Sequence, residues 1–294
     1  MAKKMKTSEK KHKVLILFRQ GTASAKSVSQ EAAKWLLDRG GEVFSHPDQT
    51  IAKSIKKASK QTLGSLNLVV VLGGDGTYLE AVRYLEGRKI PILGVNMGSL
   101  GFLTETRLED LYQTLELALT GKMEMRPRAM IQVKVKRKGK VRIEHTALND
   151  VVIERGGNHM ITLSAFCEKQ HVCDYKADGL IIAAPTGSTA YNLAAGGPIL
   201  HPEVKSFVVT PICPHSLTNR PILFPENKTL IFKVKKGLSE AALTVDGQQV
   251  TKVTGDDEIS IKLDPNEHFV LRRPSHNYFD LLREKLNFGT RAVF

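Results

Sequence analysis

The amino-acid sequence predicts an α/β N-terminal domain with a doubly wound parallel sheet, a β-rich C-terminal domain, and a C-terminal helix that returns to the N-terminal domain. In the first part of the chain, apolar runs of strand length alternate with apolar residues at helical spacing, which is typical of a parallel sheet flanked by helices. After Arg126-Pro127, short apolar runs follow one another at a spacing that suits antiparallel strands. We therefore predict a first domain of residues 1–126, with 275–294 packed against it, and a second domain of residues 127–274.

The elements of the first domain follow the apolar spacing. Val28, Ala32 and Leu36 lie on one face of a helix that ends at Gly40-Gly41. The run 68–72 contains three valines and is typical of a strand buried on both faces. Strands are predicted at 14–18, 42–44, 68–72 and 90–95. Helices are predicted from about 24, after the glycine turn with Leu79, Val82 and Leu85 at helical spacing, and from 108 to Gly121.

The second domain is predicted from shorter signals. Ile131, Val133 and Val135 alternate with polar residues, which indicates a strand with one buried face. Residues 136–140 are typical of a hairpin turn, and the tail returns to helical spacing at Tyr278, Leu282 and Leu286. Further strands are predicted at 151–153, 161–166, 180–183, 207–210, 230–234, 242–245, 259–263 and 269–271.

Composition limits the class of protein. A chain of 294 residues with 41% hydrophobic and 25% charged residues is long enough for two globular cores. No apolar run approaches the roughly 18 residues of a transmembrane helix, and the lysine-rich start lacks the apolar core of a signal peptide. Three cysteines without CxxC spacing favour a reducing cytoplasm. The net charge of +13 favours an anionic partner, either nucleic acid or anionic nucleotides.

One stretch indicates an anion site. The strand 68–72 runs directly into Gly73-Gly74-Asp75-Gly76-Thr77, and helical spacing follows. A helix N-terminus presents backbone N–H groups to an anion, and glycines let a bulky anion approach the backbone. Because a carboxylate is unfavourable inside a phosphate site, we expect Asp75 to have a chemical role. The alternative is an ordinary strand-to-helix turn in which Asp75 is the helix N-cap.

Two loops are expected to lie together. Gly73–Thr77 and Asn96–Phe102 each follow a strand of the predicted parallel sheet, and ligands bind beyond the carboxyl ends of such strands. A second apolar strand, 180–183, runs into a hydroxyl-rich turn that ends at Tyr191-Asn192. Its hydroxyl groups can bind ribose and base edges, although a helix cap after a strand is the alternative. Ser188 is not predicted to be a hydrolase nucleophile, because GxSxG is absent.

The sequence Gly-Gly-Asp-Gly-Thr resembles the signature of a superfamily that includes NAD kinases, diacylglycerol and sphingosine kinases, and 6-phosphofructokinases. The stretch 178–192, followed by Gly196-Gly197-Pro198, resembles the signature of NAD kinases in particular. Asn149-Asp150 is similar to the Asn-Glu/Asp pair of that family, and Leu100-Gly101-Phe102 also matches in order. The resemblance extends over most of the chain, from about Val14 to Phe294.

The resemblance implies a function: transfer of the γ-phosphoryl group of ATP to the 2′-hydroxyl of the adenosine ribose of NAD, with Asp75 as general base. The first domain is then a nucleotide-binding domain and the second an NAD-binding domain. Mg²⁺ is expected to arrive with ATP, and no protein ligand for it is predicted. The alternatives are a lipid kinase with the same glycine motif and an NADP-binding regulator without catalysis.

The resemblance also implies partners and contacts. It favours a homodimer or homotetramer that binds neither nucleic acid nor a membrane. Phe102 is expected to pack on the adenine, Asn149 and Asp150 to hold the adenosine, and Lys176 to contact a phosphate from a neighbouring subunit. For His159 and Gln248, a surface loop and a hairpin turn at Asp246-Gly247 are equally good interpretations. The implied substrate-binding residues are Gly73, Gly74, Gly76, Thr77, Phe102, Asn149, Asp150, His159, Lys176, Asp178, Thr186, Thr189, Ala190, Tyr191, Asn192, Leu193, Ala194 and Gln248.

Overall fold

The computed structural model describes residues 11–235, 240–275 and 277–289. The chain divides into two compact units, a first unit of residues 1–126 with 269–294 and a second unit of residues 127–268. The lysine-rich start of the sequence lies mostly outside the described residues. None of the helices in the described part has the length and apolar character needed to cross a membrane.

The secondary-structure elements alternate between strand and helix at first and are then almost all strands. In chain order they are β1 Lys13–Phe18, α1 Ala23–Asp38, β2 Glu42–Ser45, β3 Lys56–Lys57, α2 Lys60–Leu63, β4 Leu68–Gly73, α3 Asp75–Tyr84, β5 Ile92–Asn96, β6 Thr106–Arg107, α4 Leu111–Leu119, β7 Glu124–Arg128, β8 Ile131–Arg137, β9 Lys140–Ala147, β10 Asp150–Arg155, β11 Ile161–Cys167, β12 Gln170–Ala177, β13 Gly179–Ala183, α5 Tyr191–Ala194, β14 Ser206–Ile212, β15 Ile222–Pro225, β16 Leu230–Val234, β17 Ala241–Val245, β18 Gln248–Val253, β19 Asp257–Leu263, β20 His268–Arg272 and α6 Tyr278–Leu286.

The first unit is built on one sheet with the strand order β3-β2-β1-β4-β5-β20-β7, and β6 pairs with β5. The pairings from β3 to β20 are parallel, as expected for a doubly wound sheet. β1, β4 and β5 are apolar runs buried on both faces. The strand order reverses between β1 and β4, so the carboxyl end of β4, at Gly73, lies where ligands bind in such sheets.

The helix predicted from residue 108 differs from the structure. Residues Leu108–Asp110 form a 3-10 turn, and α4 begins only at Leu111. Leu108 is exposed, whereas Leu111 and Leu115 are buried. The three apolar residues therefore do not lie on one helical face, because Leu108 precedes the α-helix.

The second unit contains two six-stranded sheets. One has the order β15-β14-β13-β10-β17-β18 and the other β12-β11-β16-β19-β8-β9, and the pairings within them are antiparallel. Apolar residues from both sheets form one buried core, which includes Val133 on β8 and the aromatic rings of Phe207 on β14 and Phe232 on β16. The two sheets therefore pack face to face, as expected for a β-rich domain.

Two tight turns connect strands in the second unit. Lys138 and Gly139 both have positive φ between β8 and β9, and Asp246 and Gly247 both have positive φ between β17 and β18. Positive φ at both central residues is the geometry of a type I′ hairpin turn. Both hairpin turns are therefore confirmed. The apolar pattern does not predict β3, β6, β7, β9, β12, β15 or β18.

Candidate active site

The glycine-rich stretch of the first unit lies between β4 and α3. Gly74 is the N-cap of α3, with extended backbone (φ −106°, ψ −173°), and Asp75 is the first helical residue. The alternative prediction, in which Asp75 is the N-cap, is therefore wrong, because Asp75 lies one position inside the helix.

The Asp75 carboxylate is held by the turn that follows β5. Its Oδ2 accepts a hydrogen bond from the Phe102 N–H (2.9 Å). Its Oδ1 accepts three, from the N–H groups of Leu103 and Thr104 and from Thr104 Oγ1 (3.0 Å each). The loops after β4 and β5 are thus in direct contact, as their strand-end positions predict. Four donors fix the position of a half-buried carboxylate at the N-terminus of a helix.

The glycines around Asp75 fall into two groups. A Cβ on Gly73 would lie 2.5 Å from Thr77 Oγ1, and one on Gly101 would overlap the Asp75 carboxylate. Gly74 and Gly76 have no such neighbours, since a Cβ at either position would meet no heavy atom within 4 Å. Neither has a positive φ. Packing therefore requires Gly73 and Gly101, whereas Gly74 and Gly76 leave open space beside the helix N-terminus.

Phe102 contributes its backbone to this turn and its ring to the surface of the first unit. The ring is half-buried, and the Lys285 ammonium on α6 lies 5.9 Å from its centroid. The ring is thus flanked by a positive charge. This combination suits a flat, electron-rich group attached to phosphate.

In the second unit, Asp246 holds the start of β10. Its carboxylate accepts the backbone N–H groups of Leu148 (2.9 Å), Asn149 (2.8 Å) and Asp150 (3.2 Å). Asp150 is itself only 5% exposed. Burial, together with the charge of Asp246, raises the pKa of Asp150 to about 7. Two carboxyl groups thus share one buried region.

The Asn149 side chain differs from its neighbours. Its backbone accepts a hydrogen bond from the Ala184 N–H (2.8 Å) and donates one to Asp246. Among the hydrogen bonds of the described residues, none involves the Asn149 side-chain amide. That half-buried amide is therefore available to a ligand, and Asn149 is the residue directly before Asp150 in the chain.

The hydroxyl-rich turn after β13 consists of a 3-10 turn at Thr186–Thr189 followed by α5. Ser188 and Asn192 are fully buried. Ser188 Oγ accepts the Leu200 N–H (3.0 Å), and Asn192 Nδ2 donates to the carbonyls of Ser188 and Pro198 (3.0 Å each). These two side chains hold the turn together. The substrate-binding role implied for Asn192 stays a prediction.

Thr186 lies at the start of the same turn. Its Oγ1 is buried and, among the described residues, has no hydrogen-bond partner. The Thr189 hydroxyl donates to the Thr186 carbonyl (3.3 Å). Because an unsatisfied buried hydroxyl costs free energy, Thr186 is a better candidate for a ligand contact than Ser188. Of the remaining predicted contacts here, Ala190 and Leu193 are half-buried and Ala194 is exposed.

Tyr191 lies near several predicted residues. Its side chain is 43% exposed. Burial of the rest of the ring raises the pKa of Tyr191, and so do the nearby acidic groups, which are Glu154, Cys213, Asp150 and Asp178. Asp178 also pairs with Arg155, with Nε and Oδ1 3.2 Å apart. The structure therefore brings Asp150, Asp178 and Tyr191 into one region of the second unit.

Three predicted residues lie apart from these contacts. His159 follows β10 in a loop, Lys176 is on β12, and Gln248 begins β18; all three are exposed. No described hydrogen bond joins their side chains to Asp150. The sequence also missed two residues, Thr104 and Asp246, whose side chains hold the regions around Asp75 and Asn149.

Comparison with known proteins decides the family. The family model described as the ATP-NAD kinase N-terminal domain matches residues 14–123, and the one described as the ATP-NAD kinase C-terminal domain matches residues 148–272. The chain belongs to the NAD kinase family. It is therefore an enzyme, a kinase that acts on NAD, and the resemblance seen in the sequence is confirmed.

Individual relatives agree with this assignment. An NAD kinase of Bdellovibrio bacteriovorus is 52% identical over 278 residues, which cover 94% of this chain and 92% of that protein. An NAD kinase of Geobacter sp. strain M21 is 40% identical over 288 residues, which cover 95% and 99%. These matches favour the NAD kinase assignment over the lipid-kinase alternative.

Two solved structures are similar in fold. The crystal structure of yeast NADH kinase complexed with NADH has a TM-score of 0.89 at 26% identity and covers 96% of this chain and 89% of that one. An NAD kinase from Archaeoglobus fulgidus in complex with ATP has a TM-score of 0.71 at 24% identity, with 92% and 98% covered. The predicted fold class is confirmed.

Proposed function

We propose that the protein transfers the γ-phosphoryl group of ATP to the 2′-hydroxyl of the adenosine ribose of NAD, with Asp75 as the general base. The observation that carries this proposal is the position of Asp75. Its carboxylate is fixed by four hydrogen bonds at the N-terminus of α3, between two glycines whose Cβ positions are open. A base and an anion site thus lie side by side.

Phosphate groups would bind at the first turn of α3. The first N–H groups of a helix have no partner within the helix, and the helix dipole favours negative charge there. Gly74 and Gly76 leave room for phosphate oxygens to approach the backbone. Gly73 and Thr77 pack against each other and hold the shape of this turn.

The two oxygens of Asp75 are not equivalent. Oδ1 accepts three hydrogen bonds, whereas Oδ2 accepts one among those of the described residues. We therefore assign proton acceptance to Oδ2, which has a lone pair remaining. Phosphoryl transfer depends mainly on positioning and charge stabilisation, and a base that orients the attacking hydroxyl assists it. Such a base typically contributes about 10² to 10⁴ in rate.

In the second unit, Asn149 and Asp150 would bind the adenosine part of NAD. The Asn149 amide offers both a donor and an acceptor, and Asp150 offers a carboxyl group with a pKa raised to about 7. The buried Thr186 hydroxyl and the exposed Tyr191 ring extend the same region. Asp246 supports these residues by holding their backbone.

A divalent cation is proposed to accompany ATP, since Mg²⁺ usually binds through substrate phosphates and one or two carboxylates. In the described part of the chain, no group of three or more His, Cys, Asp or Glu side chains converges as a metal site. We assign no resident metal, and no step of the reaction is assigned to one. We further propose a cytoplasmic homodimer or homotetramer, in which the exposed Lys176 contacts a phosphate bound to a neighbouring subunit.

The test is an assay of NADP formation from NAD and ATP with Mg²⁺, applied to Asp75→Asn. We expect kcat to fall at least about a hundredfold, while NAD still raises the melting temperature. Because an amide cannot accept all four hydrogen bonds, we also expect a loss of stability of about 1–3 kcal/mol.

The matched control is Asp280→Asn, which changes an exposed aspartate in the first turn of α6. It should leave kcat within about twofold, as is usual for an exposed surface site. A folded Asp75→Asn protein with near-normal kcat would refute the assignment of the base.

A further inference from the structure

Arg272 is a buried arginine at the end of β20 in the first unit. Its side chain is 5% exposed and forms an ion pair with Glu105, which is 11% exposed. Its Nη2 also donates a hydrogen bond to the Phe102 carbonyl (3.2 Å). Arg272 therefore contacts both Phe102 and Glu105, which flank Leu103 and Thr104.

The segment that Arg272 contacts is the one that holds Asp75. Among the described residues, the four hydrogen bonds to the Asp75 carboxylate all come from Phe102, Leu103 and Thr104. The segment is closed by a hydrogen bond from the Gly101 N–H to the Thr104 carbonyl (3.2 Å). A displacement of this segment would therefore move the Asp75 carboxylate as well.

Stability alone is a weak explanation for this ion pair. Burial lowers the pKa of Arg272, while the charge of Glu105 opposes that effect. Removing two charges from water is costly, and apolar residues of similar volume often stabilise a protein as well as a buried ion pair does. A guanidinium group, however, can bind a carboxylate and a carbonyl at the same time in fixed directions.

We propose that Arg272 and Glu105 are positioning residues, which fix the turn at 102–104 and so orient the Asp75 carboxylate for proton acceptance. The proposal rests on the base role of Asp75 proposed above. Arg272 acts on the reaction through the backbone of this turn.

The main test is Arg272→Lys, which keeps the charge but removes the fork that binds Phe102 and Glu105 together. We expect kcat to fall about 10- to 100-fold, because small displacements of a reacting group have effects of this size. The KM for ATP should stay within about twofold, since the lost interaction concerns the reacting geometry and not ATP binding in the ground state.

Arg273→Lys is the matched control. Arg273 is the next residue, and it bonds to Thr114 (2.6 and 3.0 Å) and pairs with Asp110 (3.3 Å), with no described contact to the 102–104 turn. We expect its kcat to stay within about threefold. An equal loss of kcat in both lysine variants, or a normal kcat in folded Arg272→Lys, would overturn the proposal.

A double mutant separates positioning from a general structural effect. In the Asp75→Asn background, Arg272→Lys should cause little further loss of kcat, because the group that it positions is no longer a base. A further loss as large as in the wild-type background would overturn the positioning role. If Asp75→Asn alone keeps normal turnover, the role of Asp75 as general base is refuted. That result is distinct from a failure of the positioning role of Arg272.

Glu105→Gln provides a second route, because it keeps the shape of the side chain but removes the charge that pairs with Arg272. If Arg272→Lys does not fold, Glu105→Gln is measured against Arg273→Lys in the same two backgrounds. A fall in kcat of about tenfold with unchanged KM for ATP, absent in the Asp75→Asn background, supports the proposal. An unchanged kcat contradicts it.

Discussion

Substitution of Asp150 by Asn should make the protein more stable at high pH relative to wild type. The Asp150 carboxyl group is buried near Asp246, and burial and that charge raise its pKa to about 7. Above pH 7 the wild-type protein must hold a buried carboxylate, whereas Asp150→Asn holds a neutral amide of similar size. The substitution therefore removes a charge that the fold disfavours.

The sign and size follow from proton linkage. Between pH 3.8 and about 7 the folded state binds more protons at Asp150 than the unfolded state does, so wild-type stability falls as pH rises through this window. An experiment from pH 5 to pH 8 covers the upper part of this window, from pH 5 to about 7, which is about two pH units. Each unit corresponds to about 1.4 kcal/mol, so the wild type should lose about 3 kcal/mol relative to Asp150→Asn.

Urea unfolding of both proteins at pH 5, 6, 7 and 8, without nucleotide, measures this difference. Other groups titrate in both proteins and largely cancel. Asp178→Asn is the control, because Asp178 is partly exposed and pairs with Arg155, so its substitution should give no gain in stability at pH 8. A stability difference between Asp150→Asn and wild type that stays constant from pH 5 to pH 8 would refute the reasoning.

Two further predictions concern the first unit. Gly74→Ala should fold normally, because the added Cβ meets no atom within 4 Å. It should nevertheless raise KM for ATP or lower kcat at least severalfold, because the added methyl group occupies space proposed for phosphate. Gly101→Ala should lose stability, because its added Cβ overlaps the Asp75 carboxylate. Thermal melting and steady-state kinetics of the pair distinguish these effects, and equal stability would contradict them. Phe102→Ala should raise KM for NAD about tenfold with a smaller change in kcat, since stacking on a base is worth about 1–3 kcal/mol; an unchanged KM would place Phe102 outside the site.

The fold was predictable where strands are buried on both faces or alternate regularly. β4 and β8 show these patterns directly. The strands that the pattern does not predict are, apart from β6, the outer strands of the three sheets: β3 and β7, β15 and β18, and β12 and β9. In β9, only Ala147 is buried. An edge strand packs against fewer neighbours, so its sequence carries little apolar signal.

The site was predictable where its residues are contiguous. Asp75 lies within five residues that together indicate an anion site. Thr104 lies 29 residues from Asp75 in the sequence, and Asp246 lies 98 residues from Leu148, whose N–H it accepts. Arg272 lies 170 residues from Phe102. No local pattern contains such pairs. Asp246-Gly247 signals a hairpin turn, and only the structure shows that its carboxylate also holds the start of β10.

Within one sequence motif, hydrogen bonding separates residues that support the fold from residues that can bind a ligand. Ser188 and Asn192 are polar, buried and bonded to their own turn, so a ligand would have to replace bonds that already exist. The Thr186 hydroxyl is buried without a partner among the described residues, and no hydrogen bond in that part of the chain involves the Asn149 amide. Leaving a buried group such as the Thr186 hydroxyl unsatisfied costs about 1–3 kcal/mol, and a bound nucleotide can recover that free energy; the half-buried Asn149 amide is open to a ligand without breaking an existing bond. The unsatisfied groups are therefore a better guide to where NAD binds than membership of the motif alone.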